Sequence, residues 1–140
     1  MSATFFYRAA ALVFVVTALG HTYAVLSPPP TSTEARAAYN SMKNVRFHLG
    51  GRERSYGDIY RGLGLSLTAS MLFWAFLSWH LGNLTRSAPD AIGTLGWAFL
   101  IVQLAGVVLS FLYFHLPAMV LSGLAAVIVG SAAWLTLSKK

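Results

Sequence analysis

Long stretches without any charged residue constrain this chain more than any other feature of its sequence. Of its 14 charged residues, nine fall within residues 34–61, whereas residues 62–84 and 91–138 contain none. A transmembrane helix needs about 20 consecutive apolar residues, because that length crosses the hydrocarbon core of a bilayer. The chain is therefore expected to be an integral membrane protein with one charged connection.

The composition agrees with a membrane protein. Hydrophobic residues make up 56 % of the 140 residues and charged residues only 10 %, against about a quarter charged in a typical soluble domain. The net charge of +6 indicates cations that flank spans and face anionic headgroups, so nucleic acid is not an expected partner. The chain has no cysteine, which excludes disulfides, thiolate metal ligands and cysteine nucleophiles.

The uncharged runs predict an all-α, four-helix transmembrane bundle that forms a single domain. The first run is expected to be a retained span, because it is too long for a signal peptide. Gly82 and Asn83 are expected to cap the second span. The last run is too long for one crossing of about 30 Å, so it is expected to break before Pro117. The predicted spans are residues 4–26, 58–81, 94–114 and 117–137.

A short amphipathic helix is predicted at residues 32–46, between the first two spans, lying at the level of the lipid headgroups. Thr31 and Glu34 have the spacing of a capping box at its start. Gly50 and Gly51 are expected to end this segment, because glycine adopts positive φ without strain.

The second span is predicted to begin with another capping box. Ser55 and Asp58 have the required three-residue spacing. Arg54 and Arg61 lie four residues before and three residues after Asp58, so both are placed to pair with its carboxylate along a helix.

Four alternating spans would place both chain termini on one side of the membrane. They would also bring the ends of the first and third spans, marked by His21 and His115, to the side of the charged connection, which contains His48. His80 would lie on the opposite side. The candidate ligand-binding residues on the charged side are His21, His48, His115, Arg52, Arg54, Tyr56 and Asp58. No catalytic residue is assigned.

No metal site and no cofactor are predicted. A zinc or di-iron site needs three or four converging ligands, commonly with carboxylates, and the spans contain none. Haem b is the alternative that stays open: His21 and His115 would be its axial ligands, and Arg52 or Arg54 would contact its propionates.

Residues 34–46 read Glu-Ala-Arg-Ala-Ala-Tyr-Asn-Ser-Met-Lys-Asn-Val-Arg, which resembles the motif after the first span in the MAPEG family of membrane glutathione transferases. The resemblance implies a four-span protein that forms trimers, with glutathione contacts on Arg36 and Asn40. Lys43 departs from the motif, which has an acidic residue there, and the third span lacks the arginine that the family uses.

Residues 47–66 resemble a group of small bacterial four-span membrane proteins without an established activity. The likeness lies in Arg-Ser-Tyr at 54–56, Tyr-x-Gly-x-Gly-Leu at 60–65 and a histidine, His21, that ends the first span. It implies the same fold and a bacterial inner membrane, and no activity. The orientation stays open, since six Lys and Arg residues lie on the side of the connection and four, including Lys139 and Lys140, on the other.

Two classes of function stay open, and a transporter is less supported because no internal repeat is found. The favoured one is a non-catalytic bundle that binds a hydrophobic or amphipathic ligand, or assembles with further copies or a larger membrane complex, through a recognition surface at residues 34–61. The alternative is an enzyme acting on an amphipathic substrate. His21 or His115 would be its acid or base, and Arg52 and Arg54 would hold an anionic group.

Overall fold

The computed structural model describes residues 1–137, which form five helices and a two-stranded sheet. The helices are α1 (Ala3–Leu26), α2 (Thr33–Asn44), α3 (Tyr56–Ser87), α4 (Pro89–Tyr113) and α5 (Leu116–Leu137), and the strands are β1 (Arg46–Leu49) and β2 (Arg52–Ser55). Helices α1, α3, α4 and α5 are long and apolar enough to cross a membrane. The prediction of an all-α protein with four helices that could span a membrane is therefore confirmed. The β-hairpin was not predicted.

The chain forms two compact units. Within the described residues, unit 1 consists of residues 1–17 and 71–137, and unit 2 of residues 18–70. Helices α1 and α3 each contribute residues to both. Lys139 and Lys140, which enter the count of cations used for the orientation, lie outside the described residues.

The last uncharged run folds into two helices, as its length requires. α4 ends at Tyr113, and α5 begins at Leu116 with Pro117 in its first turn, where the missing N–H costs nothing. The predicted break is therefore confirmed. Within α4, Gly93 has a φ of 34° and interrupts the regular helix. The uninterrupted helix therefore begins at Thr94, which is the predicted start of the third span.

Helix α3 is longer than predicted at its C-terminal end. Gly82 and Asn83 do not cap it, and the helix continues to Ser87. Gly82 is buried, and a Cβ atom there would lie only 3.4 Å from the Cβ of Tyr7. This glycine allows close packing of helices and does not end one. The connection between α3 and α4 is the single residue Ala88, because Pro89 already lies in the first turn of α4.

Unit 1 has an apolar core to which all four long helices contribute. The ring centroid of Phe14, on α1, lies 5.8 Å from that of Trp74 on α3 and 5.9 Å from that of Phe99 on α4. Val129 on α5 is fully buried in the same cluster. Tight contacts of this kind hold membrane helices together, because lipid offers no hydrophobic driving force for their association.

Tyr7 shows how closely these helices approach. Its side chain is fully buried, and a Cβ atom at Gly96 would lie 2.7 Å from its hydroxyl oxygen. The absence of a side chain at position 96 is therefore what makes room for the tyrosine hydroxyl against α4.

Polar contacts join α1 and α3 near the start of unit 1. The hydroxyl oxygens of Thr4 and Thr85 are 2.5 Å apart, and the Arg8 guanidinium donates to the Asn83 side-chain oxygen at 3.4 Å. The same guanidinium lies 4.9 Å from the ring centroid of Trp79, within the range of a cation–π interaction.

Candidate recognition surface

Helix α2 begins one residue later than the predicted capping box requires. Ser32 is the N-cap, and its hydroxyl accepts a hydrogen bond from the Ala35 amide at 3.3 Å. The predicted pairing of Thr31 with Glu34 is therefore wrong, because the helix starts at Thr33 and places the Ser32 hydroxyl over the free amides. Along α2 only Ala35 and Tyr39 are partly buried, so most of this helix is accessible surface.

The segment after α2 is a β-hairpin, which sequence reasoning missed. β1 and β2 pair antiparallel, with Phe47 opposite Arg54 and Leu49 opposite Arg52. Gly50 and Gly51 have φ values of 58° and 76°, the two positive values that a type I′ hairpin turn requires. The predicted positive φ of both glycines is confirmed. A Gly-Gly pair between two short segments was the signal available for the hairpin.

The hairpin has two chemically different faces, because side chains alternate along a strand and opposite residues share a face. One face, here named the cation face, carries Phe47, Leu49, Arg52 and Arg54. The other, named the ion-pair face, carries Arg46, His48, Glu53 and Ser55. Phe47 and Leu49 are not among the predicted site residues. Only the register of the two strands places them beside Arg52 and Arg54, which are.

Charge is balanced on the ion-pair face and unbalanced on the cation face. Arg46 and Glu53 approach to 3.7 Å and both are largely exposed, a pair worth about 0–1 kcal/mol. On the cation face, one Arg54 nitrogen donates to the backbone oxygen of Glu53 at 3.1 Å. Among the described residues, the Arg52 side chain forms neither a hydrogen bond nor an ion pair.

The start of α3 fixes the hairpin at its base. The Ser55 amide donates to the Asp58 carboxylate at 2.9 Å, and the Asp58 amide donates to the Ser55 hydroxyl at 3.1 Å. The predicted capping box is confirmed. Tyr56 packs on Phe47 with a centroid separation of 4.8 Å. Among the described residues Asp58 forms no direct ion pair, which differs from the predicted pairing with Arg61. Arg54, with Arg46, does interact electrostatically with its carboxylate.

The histidines are distributed over both units. In unit 2, the Nε2–H of His21 donates to the Gly64 carbonyl at 3.0 Å, since a carbonyl can only accept. His48 is exposed on the ion-pair face. His115 is exposed between α4 and α5 and belongs to unit 1. Within residues 1–137 no group of three metal-ligating side chains is found, and the haem alternative on His21 and His115 stays a prediction.

Two cavities of the described chain differ in chemistry. In unit 2 a shallow cavity of about 290 Å³ is lined by Thr31, Thr33, Arg36, Ala37 and Asn40, which includes the two residues that the MAPEG resemblance would assign to glutathione. In unit 1 an open groove of about 590 Å³ is lined by Met1, Phe6, Gly130, Ser131, Trp134 and Leu135. Among the described residues, no charged side chain lines that groove.

No protein-family model, curated protein or solved structure matches this chain. Both family resemblances therefore stay expectations, and a function is inferred from the arrangement of residues in unit 2.

Proposed function

We propose that this protein is a non-catalytic integral membrane protein that binds an anionic, amphipathic ligand through residues 34–61. The observation that carries the proposal is the set of cations in this segment. All six are exposed, and three acidic residues balance them only in part. The basic residues are Arg36, Lys43, Arg46, Arg52, Arg54 and Arg61.

An amphipathic ligand is favoured over a simple ion because apolar side chains accompany these charges. Leu49 and Tyr56 are both more than half exposed, and Phe47 contacts Tyr56 beside Arg54. A ligand with an anionic group and a hydrocarbon part would satisfy both kinds of side chain, as membrane lipids satisfy basic amphipathic segments.

A binding role is favoured over catalysis because neither histidine proposed as acid or base is paired with another side chain within residues 1–137. The His21 imidazole donates to the backbone carbonyl of Gly64, and the His115 side chain forms no hydrogen bond there. Nucleophilic catalysis instead depends on a nucleophile and a base that lie within hydrogen-bond reach of each other.

The test is to identify the non-protein material that co-purifies with the protein. We expect an anionic amphiphile to be enriched over its share of the surrounding membrane, and to be lost from R36Q/K43Q/R52Q/R54Q. Arg86→Gln removes an exposed cation of unit 1 and should leave the bound material unchanged. Material of bulk membrane composition in all three proteins would overturn the proposal.

A further inference from the structure

We infer that the cation face of the hairpin is the contact region of this surface, and that its ligand is the headgroup phosphate of an anionic phospholipid. The inference rests on the function proposed for residues 34–61 and names its ligand class and its contact residues. These are Phe47, Leu49, Arg52 and Arg54.

The strand register places one apolar side chain opposite each arginine. Phe47 is paired with Arg54 and Leu49 with Arg52, and directly opposite residues of a hairpin have Cβ atoms about 4.5–5.5 Å apart. Two guanidinium groups thus lie along one edge of a small apolar patch. A guanidinium binds two oxygens of one phosphate through parallel hydrogen bonds, which makes arginine suited to this headgroup.

The arginines of this face have donors available. The Arg52 side chain forms no hydrogen bond or ion pair within residues 1–137, and Arg54 donates a hydrogen bond from one nitrogen only, to the Glu53 carbonyl. A guanidinium has five N–H donors. On the opposite face Glu53 neutralises Arg46, and the Asp58 carboxylate interacts electrostatically with Arg46 and Arg54. With two arginines and no acidic residue of its own, the cation face still carries the excess of positive charge.

The face is also held in shape before any ligand arrives. Gly50 and Gly51 define the turn, Tyr56 supports Phe47, and the reciprocal bonds of Ser55 and Asp58 fix the end of β2 to the start of α3. A site that is ordered in advance loses less conformational entropy when it binds.

A membrane lipid fits this face better than a soluble anion does. Leu49 is 56 % exposed and directly precedes the turn, so the apolar side chain lies at the tip of the hairpin beside Arg52. Such a tip suits the boundary where acyl chains meet headgroups. Unit 2 includes residues of α1 and α3, both apolar enough to cross a membrane, so a bilayer is the environment in which this surface is presented.

The experiment uses the full chain in nanodiscs of phosphatidylcholine with increasing phosphatidylglycerol, and measures lipid bound to the protein by native mass spectrometry. We expect R52Q/R54Q to weaken phosphatidylglycerol binding roughly 10- to 30-fold, since each arginine near an anionic surface contributes about fivefold. R36Q/K43Q removes two other cations of the proposed surface, from α2, and should weaken binding less than R52Q/R54Q does. The control outside the surface is R86Q, which removes an exposed cation of unit 1 and should leave binding unchanged. Leu49→Ser should weaken binding of the lipid, and circular dichroism should give the same helix content for every variant.

Two further probes are soluble glycerol phosphate and oleate. The first distinguishes a lipid from a soluble anion, and the second distinguishes a phosphate headgroup from any anionic amphiphile. Soluble glycerol phosphate that binds as tightly as the lipid would overturn the assignment of the phosphate to a lipid. An equal loss in both double variants would overturn the assignment to the cation face. Selective binding of oleate without selectivity for phosphatidylglycerol would overturn the phosphate headgroup and leave the proposed function standing. Selectivity for neither amphiphile would overturn both.

Discussion

The two units of this protein are stabilised in different ways. Unit 1 buries large side chains from four helices, such as Tyr7, Phe14 and Val129. In unit 2, where every residue is described, only Ala18 and Ser55 are buried, and its conformation depends on hydrogen bonds between neighbours and on a glycine turn. A substitution of a buried residue in unit 1 should therefore lower the free energy of unfolding. A surface substitution in unit 2 should change ligand binding and leave the fold intact.

The largest effect is expected from Phe14→Ala in unit 1. Phe14 is 3 % exposed and contacts Trp74 and Phe99, so truncation leaves a cavity that costs about 3–5 kcal/mol of unfolding free energy. The measurement is reversible unfolding in mixed micelles. The control is Phe73→Ala, since Phe73 is 58 % exposed and should cost less than about 1 kcal/mol. Equal losses in the two variants would contradict the existence of a packed core in unit 1.

A smaller effect is expected from Gly96→Ala, which places a methyl group 2.7 Å from the Tyr7 hydroxyl oxygen. Overpacking of this kind costs about 1–3 kcal/mol. The double variant Y7F/G96A should recover part of that loss, because the hydroxyl is the group in contact, and the coupling is obtained from a double-mutant cycle.

Gly106→Ala is the matched control in the same helix. A Cβ atom at position 106 meets nothing within 4 Å, so the higher helix propensity of alanine should leave stability unchanged or raise it by up to about 1 kcal/mol. A loss at position 106 as large as that at position 96 would show that backbone effects dominate at both sites.

In unit 2, Ser55→Ala should cost about 1 kcal/mol, because it removes the hydroxyl that accepts the Asp58 amide. The effect should be local. Hydrogen exchange should quicken at the start of α3 and in the hairpin while unit 1 keeps its protection, since surface and terminal segments open without global unfolding. Faster exchange throughout the core of unit 1 would contradict the separation of the two units.

The smallest effect is expected from Arg46→Gln, which breaks the exposed pair with Glu53. Exposed ion pairs contribute about 0–1 kcal/mol, so the unfolding free energy should change by less than that. A larger loss would mean that the ion-pair face supports the hairpin more strongly than its exposure indicates.

The sequence predicted the elements that depend on local patterns. Uncharged runs indicated four membrane helices, the proline at 117 marked the break in the last run, and the spacing of Ser55 and Asp58 predicted their reciprocal hydrogen bonds. Each of these signals lies within a few residues of its effect or depends on the thickness of a bilayer.

The elements that were missed depend on partners distant in sequence or on ambiguous signals. Gly82 can end a helix or allow one to pack closely, and only the neighbouring Tyr7 decides between them. The hairpin strands are short and rich in charge, so they lack the β-branched residues that usually mark a strand. The contact of His21 with Gly64 joins residues 43 positions apart, which no spacing rule could predict.

The most direct test of the account is the salt dependence of phosphatidylglycerol binding to the full-length protein in phosphatidylcholine nanodiscs. We expect binding at about 0.01 M ionic strength, where charges act over about 30 Å, and marked weakening at about 1 M, where they act over about 3 Å. It also predicts that R36Q/K43Q/R52Q/R54Q has lost most of this binding at low salt. Binding that is independent of salt and equal in the two proteins would contradict recognition of an anionic ligand by residues 34–61.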